Sequence, residues 1–134
     1  MSEQRILVVD DQRNWREVME SLLTDSGYTV DTAGSASQAW KLVNANAYDL
    51  IIVDVRLVDS NPFDIQGVEL VERISSQLSR SSPVVVMTGY SFEGLKETME
   101  ARFGVKAFIR KGTGVFQDLH TFRALIASIL DSQN

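Results

Sequence analysis

Five short apolar runs, separated by stretches of helical period, limit what this chain of 134 residues can fold into. Ile6-Leu7-Val8-Val9, Leu50-Ile51-Ile52-Val53, Pro83-Val84-Val85-Val86-Met87 and Val105 to Ile109 are apolar almost without interruption. Runs of this kind fit strands covered on both faces, because a strand with one wet face alternates instead. Tyr28 and Val30 do alternate with Thr29 and Asp31, as expected of a strand at a sheet edge. Between the runs the period changes to that of a helix. Trp15, Val18, Met19, Leu22 and Leu23 form one stripe, with Gly27 placed to stop it as a left-handed cap. Ala36, Ala39, Trp40 and Val43 mark a second helix after the Gly34-Ser35 turn, and Val68, Val71, Ile74 and Leu78 a third. Phe92, Leu95 and Met99, stopped by Gly104, suggest a fourth; Leu119, Phe122, Leu125, Ile126, Ile129 and Leu130 predict a fifth.

Strict strand–helix alternation calls for a doubly wound α/β fold, a parallel five-stranded sheet with helices on both faces, since each crossover must return the chain to the same end of the sheet. One domain is expected over residues 1–134. In such sheets ligands sit at the carboxyl ends of the strands, where strand order reverses. Four of the five runs finish there on a reactive side chain: Asp10 and Asp11, Asp54, Thr88, and Lys111. If the second strand is an edge, in order 2-1-3-4-5, those four strands are contiguous and their terminal groups converge.

Composition removes most competing chemistries. With no cysteine and a single histidine, His120, the chain offers neither a thiol nucleophile nor a nitrogen–sulfur metal site, so a metal here should prefer oxygen ligands. Lys plus Arg number 13 against 18 Asp plus Glu, and the net charge of −5 disfavours nucleic acid and anionic membranes as partners of this chain alone. The N-terminus carries no apolar signal region and no run has the length of a membrane span, so the cytoplasm is the expected location. Gly112-Thr113-Gly114 lacks the Gly-Lys-Ser/Thr ending of a phosphate-binding loop.

Carboxylates gathered on one patch repel, each close pair by roughly 4 kcal/mol at an effective dielectric near 20 and a separation of about 4 Å. Either some stay protonated or a cation sits among them, and an open set of oxygen ligands favours Mg²⁺. Lys111 and Thr88 would then supply the positive charge and the donor that a phosphoryl group's oxygens need. A remaining carboxylate can act as nucleophile and form an acyl phosphate.

On these residues the sequence resembles the receiver domain of two-component response regulators over nearly its whole length, through the acid pair in LVVDDQ, Asp54 in IIVDVRL, Thr88 in VVVMTGY and Lys111 in KAFIRKG. The resemblance implies a flavodoxin-like fold with five helices, and a switch that catalyses only its own phosphorylation and dephosphorylation. Asp54 would accept the phosphoryl group from a sensor histidine kinase or a histidine phosphotransfer protein. Mg²⁺ would be held by Asp11, Asp54 and the backbone carbonyl of Arg56, with Asp10 orienting water on the metal. Phe108 matches the family's aromatic switch, which turns inward as Thr88 closes on the phosphoryl group and so presents a changed face to a downstream effector protein or domain. The resemblance also allows a phosphorylation-dependent homodimer through the fourth and fifth helical faces, in a receiver standing alone or cut from a longer regulator.

Two departures from the family pattern stand out. Gly67 comes 13 positions after Asp54, later than is usual, so 58–66 carries extra residues beside the site. The residue after Lys111 is Gly112 where the family commonly has proline in a cis bond, which loosens that turn. Plainer readings compete at individual positions: Phe108, Trp15 and Trp40 as core, Asp59 and Asp64 as solvated loop acids, His120 as a partly exposed helix residue. Two other functions compete with the phosphorylated switch. One is a pseudo-receiver, the same fold acting as a phosphorylation-independent interaction module. The other is an aspartyl-phosphate phosphatase, which usually places an acid two residues after the nucleophile, where this chain has Arg56.

Overall fold

The computed structural model describes residues 4–54, 66–77, 82–88, 101, 104–110 and 119–131. Five strands, β1 (Arg5–Val9), β2 (Thr29–Ala33), β3 (Leu50–Asp54), β4 (Val84–Thr88) and β5 (Ala107–Arg110), form one sheet in the order β2-β1-β3-β4-β5. Every neighbouring pair is parallel. Four helices occur among the described residues: α1 (Arg13–Asp25), α2 (Ala36–Ala45), α3 (Gln66–Gln77) and α4 (Leu119–Asp131). The helix expected around Phe92, Leu95 and Met99 lies outside the described residues, and so do Arg56, Asp59, Asp64, Lys111, Gly112 and nearly all of the long loop after Asp54. Gly104, expected to end that helix, has φ +66°, the left-handed conformation such a position uses.

Strand alternation divides the core into two halves. Leu7, Val9, Ile51, Val53, Val84 and Val86 face one way and pack with Ala39 and Val43 of α2 and Leu70, Val71 and Ile74 of α3. Ile6, Val8, Leu50, Ile52, Val85 and Met87 face the other way and pack with Met19 and Leu23 of α1 and Phe122 and Ile126 of α4. With both faces covered, the strands need no polar side, which is why the runs read as continuous. β2 is the exception, partly buried along most of its length, as its edge position requires.

Helix ends follow local chemistry. Ser35 caps α2 by accepting from the Gln38 backbone N–H. Beyond α1, Gly27 adopts φ +99°, its N–H donates to Thr24 O, and the Tyr28 N–H reaches back to Leu23 O, satisfying carbonyls that α1 leaves open.

The α1 stripe is narrower than its sequence suggests. Met19, Leu22 and Leu23 are buried, but Trp15 is only half-buried and Val18 is 55% exposed. Val18 sits about 100° round the helix from Met19, at the margin of the stripe. There it lines an open cleft of about 420 Å³ with Glu17, Ser21, Leu22, Asp25 and Arg123. Trp40 is likewise half-buried, with its outer ring face covered by the Arg73 guanidinium, 4.1 Å from the ring centroid. Leu70, absent from the expected α3 stripe, is a core residue.

Candidate functional site

The register brings the strand ends level. Val9 pairs with Val53, so Asp10 and Asp54 each stand one residue further along adjacent strands. Asp54 in turn pairs with Met87, next to Thr88, and Thr88 pairs with Arg110, the residue before Lys111. The edge strand β2 ends instead at Ala33 and Gly34. The four strands expected to contribute reactive ends are therefore contiguous; Lys111, Arg56 and the Thr88 side chain lie outside the described residues.

At the centre, one carboxylate oxygen from each of Asp10, Asp11 and Asp54 lies within 4.8 Å of the other two. Asp10 is 1% exposed and Asp54 5%; they are the buried acidic residues among those described, and Asp11 is half-buried. Burial removes the water that would otherwise screen their mutual repulsion, so the cluster is a place where positive charge is stabilised. The donor set is all oxygen, the kind that hard divalent cations such as Mg²⁺ take. The residues present thus fit such an ion.

Asp10 is held from several directions. Its N–H extends the β1–β2 ladder to Ala33 O at 3.0 Å, and its Oδ1 accepts from the Gln12 N–H at 2.9 Å. That second bond is a side-chain-to-backbone turn of the type Asp favours, and it redirects the chain from β1 into α1. Its carbonyl accepts from Arg16 Nη1 at 2.7 Å. Arg16 was not singled out from the sequence, because a lone arginine near the start of a helix resembles any solvated surface residue.

Phe108 pairs with Val86 in β5, is half-buried, and packs on the α2 and α3 side of the core. His120 lies on α4, far along the chain from the acids.

Known proteins give the same grouping. The profile of the family described as response regulator receiver domain matches residues 6–123. The transcriptional regulatory protein ZraR of Escherichia coli is 35% identical over 86 residues, which cover 64% of this chain and 18% of ZraR. The alginate biosynthesis transcriptional regulatory protein AlgB of Pseudomonas putida is 39% identical over 87 residues, covering 65% of this chain and 18% of AlgB. The chain thus spans less than a fifth of the length of either relative. Among solved structures, a CheY-like response regulator receiver domain protein from Methanospirillum hungatei superposes with a TM-score of 0.82 at 26% identity, covering 98% of this chain and 97% of that one. Sheet order, acid cluster and profile agree, and the chain belongs to the response regulator receiver domain family.

Proposed function

We propose that the chain is the phosphoacceptor of a two-component phosphorelay, with Asp54 as the nucleophile. The observation that carries this reading is the meeting of Asp10, Asp11 and Asp54 carboxylate oxygens within 4.8 Å at the ends of two central strands. An Asp54 oxygen attacks phosphorus in the phosphohistidine of a kinase or phosphotransfer protein; the new O–P bond forms as the P–N bond breaks, and the electron pair leaves with the imidazole. Thr88, the last residue of β4, and Lys111, the next in sequence after β5, donate to the transferred oxygens. Asp11, Asp54 and the Arg56 carbonyl, with Asp10 in support, would hold Mg²⁺, which would supply positive charge where carboxylate and phosphoryl oxygens crowd together. The chain turns over no external substrate. It works in the cytoplasm, its phosphorylation changing the face around Phe108 that an effector reads.

Intact mass after incubation with a small acyl phosphate donor tests the reading. One added phosphoryl group is expected, dependent on Mg²⁺ and absent from Asp54→Asn. No adduct, together with no melting or fluorescence response to Mg²⁺ plus beryllofluoride, would favour the phosphorylation-independent interaction module.

A further inference from the structure

The peptide unit between Asp10 and Asp11 has a fixed plane, so whatever holds the Asp10 carbonyl also sets where Asp11 begins. That carbonyl accepts from Arg16 Nη1 at 2.7 Å, while Asp10 is tied at its N–H to Ala33 and at its carboxylate to the Gln12 N–H. Arg16 reaches this point from α1 because the end of β2 leaves room: a Cβ on Gly34 would lie 3.1 Å from Arg16 Nη1 and 3.4 Å from its Cζ. Gly34 is not among the glycines with positive φ, so its small size matters here and its backbone freedom does not. Among the described residues the Arg16 guanidinium meets no carboxylate at ion-pair distance. It bonds the backbone behind the acids rather than their carboxylates.

We infer that Arg16 is a positioning residue for the acid pair, holding the Asp10–Asp11 peptide so that both carboxylates face Asp54 around one divalent cation, and that Gly34 is the space it needs. The inference rests on the phosphoacceptor reading for its metal. A guanidinium suits the task because its planar fork loses little freedom per hydrogen bond formed. An ammonium at the same place keeps the charge but places its donor less well.

The test is a titration of isotope-labelled protein with Mg²⁺ alone, following the backbone amides of Asp11 and Gln12, with metal-free hydrogen exchange at Gln12 measured alongside. Arg16→Ala should weaken Mg²⁺ binding about tenfold or more, the scale of outer-shell changes at metal sites, and speed Gln12 exchange. Gly34→Val, which crowds the guanidinium without removing it, should shift both readouts the same way, and Arg16→Lys should fall between wild type and Arg16→Ala. Should Arg16→Ala fail to fold, the Gly34→Val and Arg16→Lys pair carries the same comparison. Binding in Arg16→Ala as tight as wild type, or tighter because a repelling cation has gone, would overturn the inference and leave the phosphoacceptor reading standing. No Mg²⁺ response in wild type would overturn both.

Discussion

The Tyr48 hydroxyl donates to Asp31 Oδ2 at 2.7 Å, joining the residue pair before β3 to the edge strand β2 across β1. Arg5 of β1 donates to the same oxygen through Nε at 3.1 Å and Nη2 at 2.8 Å, and its guanidinium lies 5.4 Å from the Tyr48 ring centroid. Three adjacent strands are thereby tied at the end of the sheet opposite the acid cluster. Burial, then the hydrogen bond and charge of Asp31, push the Tyr48 hydroxyl well above its ordinary value of 10.0. Because the folded value exceeds the unfolded one, this stabilisation is fully present below about pH 10 and is lost as pH rises from there through the folded value. Tyr48→Phe should cost about 1–2 kcal/mol at neutral pH and give a flatter fall of stability between about pH 9 and about pH 11 than wild type, measured by urea unfolding. Parallel curves would mean that Tyr48 ionises as readily in the folded state as in the unfolded one.

Crowding of the acids makes a second prediction. Without Mg²⁺, Asp11→Asn should raise the melting temperature, by roughly 2–8 °C for each kcal/mol of repulsion relieved. With Mg²⁺ the order should reverse, since wild type then gains a ligand that stabilises the folded form and the variant gains less. Calorimetry with and without the ion checks both; a lower melting temperature in the metal-free variant would mean Asp11 is held by compensating bonds.

Coupling to Phe108 is a third. Thr88→Ala should leave Asp54 open to phosphorylation while removing the accompanying changes at the face around Phe108. Amide shifts recorded with and without the acyl phosphate donor decide it, and identical shifts in variant and wild type would exclude Thr88 as the link.

A fourth concerns the turn after α1. A Cβ on Gly27 meets nothing within 4 Å, so Gly27→Ala loses stability only through its left-handed backbone, by roughly 1–2 kcal/mol. Gly27→Asn should lose less, because asparagine tolerates that conformation better. Denaturant midpoints measure both, and equal losses would point to a contact beyond the backbone.

The sheet was legible because burial on both faces leaves a plain signature: four apolar runs, each ending at a polar or charged residue. The edge position of β2 followed from its alternation, and from the absence of a reactive group at its end. Helix faces were read less well, since a stripe at helical spacing does not say where its margin lies. Val18 and Leu70 show the two errors, one counted inward and found exposed, the other omitted and found buried. At the site, Asp10, Asp11 and Asp54 were recognisable because carboxylates ending apolar strands are chemically conspicuous. Arg16 was hidden for the opposite reason: its partner is a backbone carbonyl, and no residue pattern announces a bond to the main chain.

Among the described residues β2 is an edge of the sheet, a border that a strand from another molecule could extend. Its five residues give such a strand a short template, and Asp31 near its middle adds a charge that an incoming apolar segment would have to desolvate. The ion pair that braces the sheet at Arg5 therefore also guards its open border, and losing Asp31 should show as clumping at high protein concentration as well as a loss of stability.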